Sequence, residues 1–242
     1  MGRKGRMFDK SIHSEYLNES ITLRIYQPEN YSSLYKYHIC IMQDGNDYFQ
    51  LGRAATFIDH LHERGDIENT VLVGIHYKDK YDRHEKYHPD GRKNNDYIKF
   101  LRFEVVPVLD DILPGYYLGS ARTLIGDSLG GTVSFMTALA YPNTFGNVVM
   151  QSPYVDEKVM MTAKASENLS LIKIYHTIGK HETNVQTTKG GIKNFLKPNR
   201  QLSQLLQSKT SEYTYNELSG DHTWKAWQKD LPNAFISIFG KA

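Results

Sequence analysis

The sequence LIGDSLGG at residues 124–131 constrains the fold of this chain more than any other stretch. A β-prone run at residues 121–125 leads into a Gly-x-Ser-x-Gly pattern, and a helix-prone run at residues 132–140 leads out of it. In so tight a turn, side chains at the flanking positions would collide with the neighbouring strand and helix. Gly126 and Gly130 therefore have a steric reason to be glycine, and the pattern predicts a strand, a sharp turn and a helix in succession.

The predicted turn determines where Ser128 lies. A strained backbone conformation would lift its hydroxyl above the sheet, and the amide of Leu129 would point to the place where an oxyanion forms. The alternative is a glycine-rich turn in which Ser128 only caps the helix. With 18 glycines in 242 residues, such a pattern arises by chance in about one chain in ten. The rest of the chain therefore has to decide between the two interpretations.

Strand-like and helix-like runs alternate along the whole chain. The strand-like runs are residues 14–27, with a hairpin around Asn18, and residues 37–42, 70–75, 147–150, 171–178 and 211–218. The helix-like runs are residues 51–64, 95–113 with a kink or restart at Pro107, 156–166, 190–207 and 223–239, while residues 77–94 are expected to form a long polar loop. This alternation predicts the α/β class, with a mostly parallel central sheet and helices on both faces. In such sheets the chemistry lies at the carboxyl ends of the strands.

Composition narrows the classes of partner. Lys and Arg number 29 against 27 Asp and Glu, a net charge of +2, which gives no basic field for binding nucleic acid. No apolar run is long enough to cross a bilayer, and the single Cys40 cannot form an internal disulfide, which favours a reducing, cytoplasmic setting. We expect residues 1–10 to be a basic, disordered tail and residues 11–242 to form one domain.

A serine hydroxyl is a poor nucleophile at neutral pH unless a base takes its proton and a carboxylate orients that base. In doubly wound hydrolases the chain order is serine, then the acid, then histidine. Only His176, His181 and His222 follow Ser128 among the ten histidines. His176 lies within an apolar strand and His181 directly after it, whereas His222 lies between the last strand and the last helix. His222 is therefore the predicted base.

The acid should come shortly after the strand that ends at Gly179. Glu182 is the first carboxylate there, and a solvated loop glutamate is the alternative interpretation. Asp156, one strand earlier, remains the second candidate for the acid. Asp221 is too close in sequence to His222 to turn its carboxylate onto the ring.

Three segments resemble one known family in the family's order: residues 42–47 (MQDGND), 126–131 (GDSLGG) and 220–227 (GDHTWKAW). The chain resembles the esterase family of α/β-hydrolases, which holds enterochelin and other siderophore esterases, S-formylglutathione hydrolases, feruloyl esterases and mycolyltransferases. The resemblance implies an α/β-hydrolase fold and supports His222 and Glu182. It also implies that the amide of Asn46 joins that of Leu129 in the oxyanion hole.

These observations predict a serine carboxylic-ester hydrolase that acts through an acyl-enzyme, with a Ser-His-Glu triad of Ser128, His222 and Glu182. The expected substrate is a small-molecule ester, and the resemblance points to siderophore-type or aromatic esters. No cofactor, nucleic acid or membrane is expected. The alternative from another class is a non-catalytic binding protein on the α/β-hydrolase fold.

The sequence HEKYH at residues 84–88 matches the zinc-protease signature H-E-x-x-H. Zinc binding needs both histidines on one face of a regular helix, and Pro89 disfavours helical geometry at His88. We therefore expect a solvated loop beside the substrate and no metal, with a zinc hydrolase as the remotest alternative.

Aromatic rings and cations near the site would suit an aromatic or anionic acyl group. The residues predicted to contact such a substrate are Arg83, Tyr87, Tyr154 and Trp224. An exposed polar loop without a role in binding is the alternative for the first two.

Overall fold

A computed structural model of the protein describes residues 2–187 and 190–241, and its centre is a sheet of eight strands. The described residues form ten strands, two of them outside this sheet: β1 (Arg6–Ser14), β2 (Glu19–Gln27), β3 (His38–Met42), β4 (Thr70–Ile75), β5 (Arg122–Asp127), β6 (Asn147–Gln151), β7 (Lys173–Gly179), β8 (Val185–Gln186), β9 (Ile192–Lys193) and β10 (Tyr213–Leu218). Their order in the sheet is β1-β2-β4-β3-β5-β6-β7-β10, and β8 pairs with β9 in a separate small hairpin.

Helices cover both faces of the sheet. They are α1 (Gly45–Gln50), α2 (Ala54–Arg64), α3 (Lys80–Tyr87), α4 (Asn94–Phe100), α5 (Val106–Ile112), α6 (Leu129–Ala140), α7 (Glu157–Ala165), α8 (Leu196–Gln207) and α9 (Trp224–Phe239). The apolar side chains of α1, α2 and α9 pack on one face, and those of α3 to α8 pack on the other.

Side chains of β3 show how the sheet separates two cores. Ile39 and Ile41 belong to the core beneath α6, whereas Cys40 and Met42 belong to the core beneath α2 and α9. Both faces of a parallel strand are buried, which is why the sequence is a continuous apolar run and not an alternating one. From β4 through β3, β5, β6 and β7 to β10 the pairing is parallel. This strand order, with helices on both faces, is the α/β-hydrolase fold that the sequence predicts.

The N-terminal hairpin differs in part from the prediction. β1 and β2 pair antiparallel around a turn in which Asn18 has φ of 50°, so the hairpin is present. However, Arg6 to Lys10, which we expected to belong to a disordered tail, form the first half of β1. Asp9 of this half forms a bidentate ion pair with Arg24 of β2 at 2.9 and 3.0 Å. Pairing with β2 orders these residues, and the composition of the N-terminal segment does not reveal that pairing.

The long helical run at residues 95–113 is interrupted where Pro107 predicts a break. α4 ends at Phe100, one π-helical turn covers Leu101–Val105, and α5 restarts at Val106. Pro107 lies in the first turn of α5. A backbone N–H has no acceptor within the helix at such a position, so the proline loses no helical hydrogen bond there. The proline restarts the helix.

The predicted polar loop at residues 77–94 contains α3. Asp79 caps this helix, because its carboxylate accepts from the amides of Tyr81 at 2.7 Å and Asp82 at 3.0 Å. Lys86, only 2% exposed, forms ion pairs with Asp82 and with Glu19, the first residue of β2. The helix is thus stabilised by a cap and by a buried charge cluster, neither of which gives an apolar stripe in the sequence. Within the described ranges, no helix is long and apolar enough to cross a membrane.

Deleting residues 1–10 tests whether this segment is structural. The deletion removes the Asp9–Arg24 pair, half of the β1 ladder and the bond from the amide of Gly5 to the hydroxyl of Tyr26 at 2.7 Å. We expect a loss of about 3 kcal/mol, which lowers the midpoint of thermal unfolding by about 6 to 12 °C. Deleting only residues 1–3 is the control. Equal midpoints for the two truncations would show that the segment is a dispensable tail.

Candidate active site

The turn after β5 has the geometry that the glycine pattern predicts. β5 ends at Asp127, Ser128 has φ 52° and ψ −123°, and α6 begins at Leu129. The amide of Ser128 donates to the carbonyl of Gln151 at 2.9 Å, and its own carbonyl accepts from the amide of Tyr154 at 3.2 Å. A non-glycine residue at positive φ is strained and persists only where its surroundings fix it. Here the two backbone bonds to β6 and the following loop fix it.

The glycines of the turn allow two backbones to approach. A Cβ atom on Gly126 would lie 2.1 Å from the carbonyl carbon of Gly130, and one on Gly131 would lie 2.9 Å from the carbonyl oxygen of Gly126. At Gly130 the nearest atoms would be Asp44 Oδ2 and Gln43 Cβ, both at 3.2 Å, which is tight but not prohibitive. Backbone atoms therefore exclude a side chain at Gly131 and, with the closer contact, at Gly126.

Three side chains that are distant in sequence meet above the turn. His222 Nε2 lies 3.0 Å from Ser128 Oγ, and His222 Nδ1 lies 2.7 Å from Glu182 Oε2. Because an ionised carboxylate only accepts, Nδ1 carries a proton. In the neutral ring Nε2 is then the acceptor for the hydroxyl proton of Ser128. The loops after β7 and β10 supply Glu182 and His222 at the carboxyl edge of the sheet.

Glu182 is 1% exposed, and hydrogen bonds saturate its carboxylate. Oε1 accepts from the amide of Gly179 at 2.7 Å and from Ser152 Oγ at 2.5 Å. The indole Nε1 of Trp227 donates to the same Ser152 oxygen at 2.9 Å. Sequence reasoning missed Ser152 and Trp227 as parts of the site. Their only signals are a polar residue after a strand and the second tryptophan of the segment that follows His222.

The other candidates for acid and base lie elsewhere. Asp156 caps α7 by accepting from the amide of Val159 at 2.9 Å, so its carboxylate is engaged away from His222. His176 is fully buried and bonds to Tyr213 Oη at 2.8 Å and Asn199 Oδ1 at 2.7 Å. Burial lowers the pKa of His176 to about 4. It is a neutral core histidine, as its place in an apolar strand suggests.

A cavity of about 430 Å³ opens above Ser128. Six aromatic rings on its wall form a continuous belt, in the order His84, His88, Tyr154, Phe195, His222 and Trp227. The centroids of consecutive rings in this order are 4.5, 5.0, 5.9, 4.6 and 4.9 Å apart. The fifth ring, that of His222, contacts Ser128, and Trp227 ends the belt. The cavity can therefore accept a flat, polarisable group beside the reactive hydroxyl.

Two of the four predicted substrate residues line this cavity. Arg83 and Tyr154 do, whereas Tyr87 and Trp224 do not. Tyr87 is 1% exposed and packs in the core against Tyr97, with ring centroids 5.1 Å apart. Positions 84 and 88 share the cavity side of α3, and position 87 points inward, because side chains four apart lie on one side of a helix.

Trp224 lies one turn of α9 before Trp227, which takes the place in the cavity wall. Trp224 packs edge-on against Trp227, with centroids 5.6 Å apart, and against Tyr48 at 4.8 Å. The prediction named Trp224, whereas the structure places Trp227 in the cavity wall. The sequence predicted the start of α9 to within one residue, but it did not show which side of the helix meets the cavity.

Arg83 is held by carboxylates on the floor of the cavity. Its guanidinium forms a bidentate ion pair with Asp44, with Nε 2.8 Å from Oδ1, and NH2 donates to the carbonyl of Asp127 at 3.3 Å. Burial alone would lower the pKa of Arg83, but Asp44 and Asp127 outweigh it and raise the pKa. The cation is thus already neutralised, and it supports the residue before Ser128. It is not available to bind an anionic substrate in the predicted way.

The carboxyl group of Asp127 lies beside this ion pair. Burial and the neighbouring Asp44 raise its pKa well above the usual value, and Arg83 opposes this shift. In the described structure Asp127 Oδ1 has no hydrogen-bond partner. Arg83 carries a fixed positive charge among these groups. Because of this charge, three acidic side chains, those of Asp44, Asp47 and Asp127, can line one cavity.

The two predicted oxyanion donors lie in the first turns of helices, where amides have no intrahelical acceptor. Leu129 is the first residue of α6 and lines the cavity. Asn46 is the second residue of α1; its side chain is exposed and accepts from Arg24 NH1 at 3.1 Å. The cavity wall is formed by its neighbours Asp44 and Asp47, not by Asn46 itself.

The HEKYH segment is helical, and not the solvated loop that we expected. α3 runs to Tyr87, and His88 then turns to an extended conformation before Pro89, as the proline predicts. The rings of His84 and His88 stack at 4.5 Å with an interplanar angle of 14°. Among residues 2–187 and 190–241, no group of three or more His, Cys, Asp or Glu side chains has the arrangement to hold a metal ion.

The fold and this geometry define the chain as an α/β-hydrolase with a serine, a histidine and a carboxylate in hydrogen-bond contact. The model of the family described as "Putative esterase" matches residues 14–238, and the chain belongs to that family. Membership in this family supports a hydrolase of ester substrates.

Known proteins resemble the chain at two levels. The uncharacterized protein YjcH of Bacillus subtilis (strain 168) is 49% identical over 226 residues, which cover 93% of this chain and 94% of that one. A ferulic acid esterase superposes with a TM-score of 0.78 at 12% identity, covering 98% of both chains. The enterobactin esterase FES from Shigella flexneri, solved with enterobactin, gives a TM-score of 0.83 at 18% identity, over 96% of this chain and 58% of that one. At such identities the structural likeness shows the shared fold.

Replacing Arg83 with methionine tests its role as a structural cation. The change leaves Asp44 and Asp127 buried without their counter-charge, so we expect a loss of about 3 to 5 kcal/mol in the free energy of unfolding. Because the pKa of Asp127 is raised above its usual 3.8, the folded chain holds that proton where the unfolded chain releases it. The free energy of unfolding therefore falls as pH rises above that value. Removing Arg83 raises the pKa of Asp127 further, so the variant loses stability over a wider pH range. Denaturant unfolding at pH 5 and pH 8 should give the larger deficit at pH 8.

The control for this substitution is Arg92→Met. Arg92 pairs with Glu85 on the surface, where its side chain is 89% exposed, and such pairs contribute about 0 to 1 kcal/mol. Equal losses for the two variants, or a deficit at Arg83 that does not depend on pH, would contradict the role assigned to Arg83.

Proposed function

We propose that this protein is a serine carboxylic-ester hydrolase that works through an acyl-enzyme. The observation that carries the proposal is the hydrogen-bonded chain from Ser128 Oγ through His222 to Glu182, beside a cavity that can hold an ester. A hydroxyl, an imidazole and a buried carboxylate in this order activate the hydroxyl at neutral pH.

In the acylation step, Ser128 Oγ attacks the ester carbonyl while His222 Nε2 takes the hydroxyl proton. The negative charge moves to the carbonyl oxygen, where the amides of Leu129 and Asn46 donate to it. His222 then passes its proton to the leaving alcohol, and the ester C–O bond breaks. Glu182 holds Nδ1–H throughout and stabilises the imidazolium that forms.

Water completes the cycle. His222 takes a proton from a water molecule as its oxygen attacks the acyl carbon, and the same oxyanion donors hold the second tetrahedral intermediate. The intermediate collapses to the free acid, and the proton returns to Ser128 Oγ. No step needs a redox partner, since every bond change is an acyl transfer.

The belt of rings supports an aromatic or siderophore-type acyl group as the substrate. A flat aromatic ring gains from stacked or edge contacts with Tyr154, Phe195 and the histidines. Lys193, whose Nζ lies 2.7 Å from Tyr154 Oη, adds a cation at the rim. Two of the structural neighbours have aromatic acids or a siderophore in their names, ferulic acid and enterobactin. The lone buried Cys40 supports a reducing, cytoplasmic setting.

An ester panel tests the proposal. Wild type and Ser128→Ala are assayed on short-acyl p-nitrophenyl esters, feruloyl esters and a catecholate lactone. We expect the aromatic acyl esters to give the highest kcat/KM, and Ser128→Ala to lower kcat by at least about 10⁴-fold. Ser120→Ala is the control and should leave the rates unchanged. Ser120 is exposed and lies just before the start of β5, at the end of the strand away from Ser128.

Two results would remove the proposal. One is the absence of turnover of every ester by the folded wild type, which would favour a binding protein on the same fold. The other is activity in Ser128→Ala equal to that of wild type, which would place the nucleophile elsewhere.

A further inference from the structure

We propose that Ser152 is a positioning residue whose hydroxyl, held by Trp227, orients the carboxylate of Glu182 towards His222. The inference rests on the proposed function, because it concerns the acid of the proposed triad. It adds two residues that the family resemblance did not assign.

The direction of each hydrogen bond follows from the donor inventory. An indole N–H can only donate, so Ser152 Oγ accepts from Trp227 Nε1 at 2.9 Å. The single hydroxyl proton of Ser152 is therefore directed at Glu182 Oε1, 2.5 Å away. With the amide of Gly179 donating to the same oxygen, Oε1 is fully engaged, and Oε2 is left for His222.

This arrangement suits the proposed reaction. When His222 becomes an imidazolium, the carboxylate beside it has to stay ionised and within hydrogen-bond distance. Hydrogen bonds donated to a buried carboxylate favour its charged form. Two donors on Oε1 also prevent the group from rotating, so that the Nδ1 contact of 2.7 Å keeps its geometry.

The backbone of Ser152 supports a role for its hydroxyl. Ser152 is fully buried, follows the last residue of β6, and has φ of 49°, in the region that favours glycine. Its amide donates to the carbonyl of Thr177 at 2.7 Å, which fixes this conformation. Glycine would adopt the same backbone with less strain, so the turn alone does not call for a serine.

Trp227 connects this bond to the base. Its ring meets that of His222 edge-on, with centroids 4.9 Å apart and an interplanar angle of 84°. Its carbonyl accepts from Gln151 Nε2 at 3.0 Å, which anchors the first turn of α9 to the end of β6. One side chain thus packs against the base and fixes the hydroxyl that orients the acid.

Ser152→Gly separates positioning from structure. Glycine suits the positive φ and removes only the hydroxyl, so we expect a thermal midpoint close to that of wild type. We expect kcat/KM to fall about 10- to 100-fold, the effect of one hydrogen bond to a charged group. KM should change little, because Ser152 does not line the cavity.

Trp227→Phe provides a second, independent variant. It keeps a ring against His222 but removes the N–H that fixes the Ser152 hydroxyl. We expect a smaller loss than in Ser152→Gly, about 3- to 10-fold in kcat/KM. Ser134→Ala is the matched control, because it removes another fully buried hydroxyl, one that has no hydrogen-bond partner in the described structure. It should leave kcat/KM unchanged.

Wild-type kcat/KM in Ser152→Gly, or a fall that comes from a higher KM and not from a lower kcat, would overturn the positioning role. A readout without turnover keeps this test apart from that of the esterase activity. The downfield proton resonance of the His222 Nδ1–H, assigned by its loss in His222→Ala, should change position in Ser152→Gly and stay in place in Ser134→Ala. If it stays in place in both, the positioning role fails whether or not the protein hydrolyses esters.

Discussion

The closest backbone approach in the site, between Gly126 and Gly130, is the constraint on which the rest of the structure depends. Because no side chain fits between the two, β5 can turn directly into α6 and hold Ser128 at positive φ. β5 lies between β3 and β6 near the middle of the sheet. The loops that follow β3, β6, β7 and β10 therefore all end within reach of one hydroxyl, and each contributes a residue to the site.

Two polar networks hold this turn from opposite sides. On the side of β3, Arg83 ties the Asp44 loop to the carbonyl of Asp127, directly before the serine. On the side of β7, Ser152 and Glu182 hold the histidine through bonds of 2.5 and 2.7 Å. Both networks are largely buried, so their hydrogen bonds act in a lower dielectric than water and with less competition from solvent. The site is in this sense organised before a substrate arrives, which is what electrostatic stabilisation of an oxyanion requires.

Sequence reasoning succeeded where one local rule decides and failed where distant contacts decide. Residues 70–75 form a strand because a continuous apolar run suits burial on both faces, and parallel topology alone brings the polar residues that follow the strands to one edge. α3 was missed because its helix depends on Lys86 pairing with Glu19, 67 positions away in the chain. Trp224 was chosen over Trp227 because the sequence did not show which side of α9 meets the cavity. The bond between Trp227 and the serine after β6 spans 75 residues, and no local pattern announces it.

The central claim is that the hydroxyl of Ser128 is a nucleophile activated by the imidazole of His222. A fluorophosphonate, which reacts with such a serine and stays attached, followed by peptide mapping of the adduct by mass spectrometry, measures this directly. The account predicts one adduct per chain on the peptide that contains Ser128, and little or no adduct in His222→Ala under the same conditions. An unlabelled wild type, or an adduct on another residue that persists in Ser128→Ala, would contradict it.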